Sequence, residues 1–218
     1  MSTDTSAQAT KPNNRIFQPI ILDIPDLCRI EDTEKEDMQE LCMEMTHAVY
    51  PHDKVYGDYC SIQEYINCPP EKVYQYLAET SNFLEWTFSL RDMEYSEQDD
   101  VYTFTDAIGG KTKCFCRTVC SPDAMTVDYH CAWDQEKKLW MIYLMRVVPA
   151  ELVFGKPGSV VLWTNCCHPY YNNNPHPELA PTDRKVWVGD MWPMFYAGHT
   201  IEMQNLKKIL EYRHANQS

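Results

Sequence analysis

Residues 59–86, YCSIQEYINCPPEKVYQYLAETSNFLEW, constrain the fold of this 218-residue chain more than any other stretch. Alternation up to Ile66-Asn67 reads as a strand, with Ile62 and Ile66 on one face. Pro69-Pro70 then fixes φ where a first helical turn wants it. Val73, Tyr76 and Leu77 follow at helical spacing, and Phe83 and Trp86 stand three apart in a second short helix. After Trp86 the pattern turns to β almost as far as a long last helix. One strand, two small helices, a run of antiparallel strands and a closing helix form a cup: the sheet curls around the last helix and leaves a cavity between them. Such a space suits an apolar small molecule.

The boundaries follow from periodicity and turn residues. Residues 1–14 are small, polar and aperiodic, and are expected to be disordered. Residues 15–52 hold an arm broken by Pro19 and Pro25, then a helix from the capping pair Thr33/Glu36 to about Tyr50, with Met38, Leu41, Cys42, Met45 and Val49 in one stripe. That helix covers the domain, caps the cavity mouth or makes a homodimer contact; the sequence does not choose among these. Residues 53–218 are the main domain. Its strands are expected at 55–67, 89–95, 102–108, 112–120, 125–133, 139–148 and 158–166, with Gly109-Gly110 as a hairpin turn. Helices fall at 71–78, 82–86 and 191–213, the last with Asp190 as N-cap.

Composition removes several functions. A net charge of −13 argues against nucleic acid and against an anionic membrane surface. No apolar run is long enough to span a bilayer, and the N-terminus has no apolar signal region, so a cytoplasmic location is the default expectation. Ten cysteines are then expected to be reduced, mostly as buried thiols. Cys166, Cys167, His168 and His176 come nearest to a metal cluster, but adjacent strand thiols point opposite ways. No nucleophile elbow, P-loop, Rossmann fingerprint or HExxH motif is present.

The run Ile66-Asn67-Cys68-Pro69-Pro70-Glu71-Lys72-Val73-Tyr74-Gln75-Tyr76-Leu77, with Asn82-Phe83-Leu84-Glu85-Trp86 after it, resembles the START-like (SRPBCC) superfamily. That superfamily includes birch-pollen-allergen-like proteins, lipid-transfer START domains and bacterial polyketide cyclases and aromatases. The resemblance covers about residues 53–213 and implies a helix-grip α+β fold: a curved antiparallel sheet of about seven strands around a long C-terminal helix. It implies little about chemistry, since the fold hosts binders, transporters and enzymes.

Facing rules then nominate residues. Glu64 sits between Ile62 and Ile66; it faces the cavity as a desolvated acid or base, or a bulge sends it to solvent. In the last helix Trp192, Phe195, His199, Met203, Leu206 and Leu210 recur at three- and four-residue steps, with His199 the one titratable member. It either moves protons or is a core histidine bonded to a carbonyl. Arg146 shares a strand face with Trp140, Ile142 and Leu144, as an oxyanion-binding fork or as a surface ion-pair member; Tyr143 falls on the other face. Asn165, on a face with Trp163, can donate to a ligand oxygen or to the backbone. Trp86, Tyr102, Phe104, Trp140, Trp163, Asn165, Trp192, Phe195 and Met203 make up the candidate binding surface. His199 and Glu202 are helix neighbours in the manner of zinc ligands of START-like carbon–carbon hydrolases, whose further ligands are not met here. No cofactor or metal is expected.

Two functions fit. One is a cofactor-independent cyclase acting on an apolar polyketide-like intermediate, with Glu64 and His199 as acid and base and Arg146 or Asn165 on an enolate-like oxygen. The other is a carrier of an apolar small molecule without turnover. A third reading, an interaction module docking through its N-terminal extension, predicts a mass that depends on concentration.

Overall fold

The computed structural model describes residues 14–15, 24–32, 35–49, 58–108, 112–134, 137–179 and 188–216. The disorder expected before Asn14, the start of the first main-domain strand and the Gly109-Gly110 turn lie outside these residues. Among the described residues eight strands form one antiparallel sheet: β1 (Asn14–Arg15), β2 (Tyr59–Ile66), β3 (Leu90–Ser96), β4 (Val101–Asp106), β5 (Thr112–Ser121), β6 (Thr126–Trp133), β7 (Met141–Pro149) and β8 (Ser159–Cys166). Their spatial order is β1-β3-β4-β5-β6-β7-β8-β2. The seven expected strands are all present, and the two-residue β1 extends the β3 edge.

The helices are α1 (Lys35–Val49), α2 (Pro70–Ala78), α3 (Phe83–Trp86), α4 (Ala150–Phe154) and α5 (Phe195–Asn216). The proline pair works as expected: Pro70 occupies the first turn of α2, where no N–H is needed. The long helix starts later than Met191, because Val188–Met194 forms a 3-10 turn first, so Asp190 is not its N-cap. α4 has no counterpart in the sequence reading. It is a single exposed turn carrying Leu152, Val153 and Phe154, too short to show periodicity.

The sheet wraps α5, and α2 and α3 close one end. The main core joins Ile62, Ile66, Val73, Leu77, Leu84 and Trp86 to Tyr129, Met145, Met203, Leu206 and Ile209. An N-terminal strap, residues 24–32, lies over α3 and α5. Asn205, buried on α5, holds it by both backbone groups of Cys28: Oδ1 accepts the Cys28 N–H at 3.0 Å and Nδ2 donates to the Cys28 carbonyl at 2.8 Å. Arg91 holds it from the sheet, donating to both Glu31 oxygens at 2.6 and 2.8 Å and to the Leu90 and Phe88 carbonyls. A bulge sets this up: the β3–β4 register shifts between Arg91 and Glu94, and Asp92 takes a positive φ of 53°. Beyond the strap, α1 packs Met38 and Cys42 against Phe88, Ala197 and Ile201.

Candidate functional site

Between sheet, α3 and α5 lies a cavity of about 170 Å³. Trp86, Phe104, Trp163, Phe195 and His199 line it, as the facing rules require. Residues the sequence did not nominate complete the wall, among them Phe83, Phe88, Trp133 and Tyr143, and the thiols of Cys114, Cys116 and Cys131. Cys116 and Cys131 sit directly opposite each other on β5 and β6. α1 contributes Cys42, so this helix closes one side of the cavity.

Several expected members stand elsewhere. Glu64 is on the inner face of β2, but β2 is the edge strand and α5 crosses it there. Its carboxylate accepts from Gln204 Nε2 at 2.5 Å and pairs with Lys207 at 3.0 Å, in a separate polar cleft. Arg146 is exposed. Met141, Tyr143, Met145 and Val147 are the inward set of β7, so Tyr143 takes the inner place and Arg146 the outer one. Asn165 is buried beside the cavity, with its Nδ2 3.5 Å from the Ile142 carbonyl and no hydrogen-bond partner for Oδ1 among the described residues. Trp140 and Trp192 belong to a second cluster around Tyr171. Tyr102 packs on Tyr95 at 4.6 Å, away from the cavity, and Met203 is core.

Besides its thiols and tyrosines, the cavity wall carries His199 and Glu202 on adjacent turns of α5, with Asp106 at the end of β4. The His199 ring stacks on Trp163 at 4.3 Å and meets Phe195 at 4.8 Å and Tyr143 at 5.6 Å. Its Nδ1 has no hydrogen-bond partner among the described residues. Burial among these rings pushes its pKa down to about 3, so the imidazole is neutral. Glu202 Oε1 accepts the Phe88 N–H at 2.9 Å, its one hydrogen bond among the described residues. Burial raises the Glu202 pKa to about 8, aided by Asp106 and opposed by the Phe88 N–H and Arg91. The acid is therefore protonated at neutral pH. Among the described residues no three His, Cys, Asp or Glu side chains gather as metal ligands, so the His199/Glu202 pair lacks a third partner.

These shifts predict the stability profile. Folded Glu202 keeps its proton to about pH 8, whereas the unfolded chain releases it near 4.5, so stability falls with rising pH across that interval. His199 acts oppositely: the unfolded chain gains a proton between about 6.5 and 3 that the folded one refuses, so stability rises with pH there. Glu31, held down to about 2 chiefly by Arg91, adds to the rise at the acid end. The denaturation midpoint is expected to climb to about pH 4.5, stay level to 6.5 and then fall toward 8. The fall is worth about 2 kcal/mol. Urea titrations across this range check it. Glu202→Gln removes the fall; a variant that keeps it places the titrating group elsewhere.

A family model described as a domain of unknown function (DUF8713) matches residues 58–163. The match ends before α5 and so leaves out both His199 and Glu202. No curated protein matches the chain. Among solved structures, the Zhui aromatase/cyclase from Streptomyces sp. R1128 aligns with a TM-score of 0.50 at 12% identity, over 71% of this chain and 94% of that one. A START superfamily protein from Mycobacterium smegmatis aligns with a TM-score of 0.45 at 11% identity, over 74% and 100%. The Aha1 dimer from Colwellia psychrerythraea gives 0.46 at 15%, over 70% and 96%. The topology and the alignment with the aromatase/cyclase make the fold a START-like helix grip, and likeness at this identity extends to the fold alone. Among the described residues no helix is long and apolar enough to cross a membrane.

Proposed function

We propose that the cavity encloses an apolar small molecule and that Glu202 exchanges a proton with it, in a cofactor-independent conversion of the cyclase type. The observation that carries this reading is a carboxyl in an aromatic cavity, one helical turn from a neutral imidazole. An acid that titrates near neutrality is well matched to general acid–base catalysis. The close aromatic walls supply orientation, which lowers the barrier of a ring closure. His199, neutral across the working range, shapes and polarises the wall and stores no proton. On this reading residues 53–218 form the ligand domain and residues 15–52 its cover.

A carrier without turnover is favoured by a different observation. Among the described residues no Lys or Arg lines the cavity, so a developing oxyanion has no cationic partner there. Mass spectrometry of small molecules released by denaturing the purified chain separates the two. A precursor together with its ring-closed product marks turnover, and one unchanged compound marks the carrier. If nothing is released and 2-tetralone shifts no amide resonance of cavity residues, the cavity is core space and both readings fail.

A further inference from the structure

Size, charge and polarity of the cavity wall narrow the chemistry of its occupant, on the premise that the cavity is a ligand site. The free volume is about 170 Å³. A protein cavity of about 150 Å³ takes a single benzene, so three or four fused rings exceed this space with α1 in place. Charge is equally restrictive. The lining carries Asp106 and Glu202 and, among the described residues, no Lys or Arg. A ligand carboxylate would find no cationic partner among the described lining residues and would lie near the acidic side chain of Asp106, at a cost of several kcal/mol. Arg91, the nearby cation, is committed to Glu31 and to backbone carbonyls. Polarity supplies the anchor: with Oε1 of Glu202 bound to the Phe88 N–H, the rest of the carboxyl has no hydrogen-bond partner among the described residues. The Glu202 side chain is half-buried, so its free oxygen opens on the cavity, where a ligand group can bond to it.

We propose that the occupant is an uncharged compound of one or two rings bearing a hydroxyl or carbonyl group, with that oxygen on the Glu202 carboxyl and the rings against Trp86, Phe104 and Trp163. Wall and ligand are then complementary: flat apolar faces meet aromatic side chains, and the Glu202 carboxyl meets a group able both to donate and to accept. Charge discrimination comes from the lack of a counter-ion among the described wall residues. Size discrimination comes from the aromatic wall of sheet, α3 and α5, closed on one side by Cys42 of α1.

Calorimetric titration of the full chain at pH 7 with four probes tests this. 2-Naphthol is expected to bind about tenfold more tightly than naphthalene, the worth of one buried hydrogen bond. It is expected to bind at least about 100-fold more tightly than 2-naphthoate. 1-Pyrenol, with four rings, is expected not to bind. Glu202→Leu should bring 2-naphthol down to the naphthalene level. Glu202→Gln, which still donates and accepts, should keep the preference and guards against misfolding of the leucine variant. Binding of 2-naphthoate as tight as that of 2-naphthol overturns the charge assignment. Equal binding of 1-pyrenol overturns the size assignment, and an undiminished hydroxyl preference in Glu202→Leu overturns the anchor. In all three cases some probe still binds. If none binds, the cavity is not a ligand site, and the premise falls together with the proposal.

Discussion

Glu202→Gln is expected to slow cavity-dependent proton exchange by about 10²–10⁴-fold while leaving ligand binding nearly unchanged. A workable probe is 2-tetralone, an uncharged two-ring ketone whose acidic α-protons exchange with deuterated solvent at a rate readable by proton NMR. Removing such a proton is the elementary step of a ring closure through an enol. Ionised Glu202 is the base and protonated Glu202 the returning acid, so the rate should rise as pH approaches the carboxyl's pKa of about 8. Glutamine fills the same volume and keeps an oxygen for the Phe88 N–H, so the wall survives and only the transferable proton is lost. Tetralone that binds the native chain without faster exchange makes this protein a carrier, and faster exchange untouched by the substitution places the base at another group.

The largest stability effect is expected at Trp86. Its side chain is 2% exposed and stands edge-on to Phe83 at 5.3 Å and to Trp163 at 5.8 Å. It belongs at once to the main core and to the cavity wall. Trp86→Ala removes a large apolar surface and merges its vacated volume with the existing cavity, so the surroundings have little to collapse onto. A loss of about 3–5 kcal/mol follows, a large part of the stability of an ordinary domain. The indole N–H has no hydrogen-bond partner among the described residues, so removing it strands no polar group. Trp86→Phe should cost far less and enlarge the cavity, admitting a larger probe. Urea denaturation followed by circular dichroism measures both. A loss under about 1 kcal/mol for the alanine variant would mean that α3 is not held by this side chain.

Much of this architecture can be read from periodicity. The proline pair, the two short helices ending on Trp86, the seven strands and the α5 stripe with His199 all depend on local spacing, which the chain displays openly. The site is harder to read because alternation gives a face and not a place along it. Glu64 is on the face its neighbours indicate, yet β2 is the sheet's edge, where Gln204 and Lys207 of α5 meet it. For Arg146 the sequence leaves the cavity and the surface both open because β7 is apolar on both faces: Ile142 and Leu144 look as core-like as Met141 and Met145. Glu202 had one signal, its three-residue spacing from His199. Its place in the wall follows from Phe88 meeting this turn of α5 across the cavity, a tertiary fact that no window of sequence contains.

The strap and α1 also bear on timing. Where the way out runs past α1, a molecule meets water only after that helix and the strap before it come away, against the grips of Asn205 on Cys28 and of Arg91 on Glu31. Departure is then timed by uncovering and not by the strength of the molecule's own contacts. Related compounds that differ widely in equilibrium affinity would share nearly one residence time, and their affinities would separate through the rate of entry, the reverse of the usual pattern in which dissociation carries the difference.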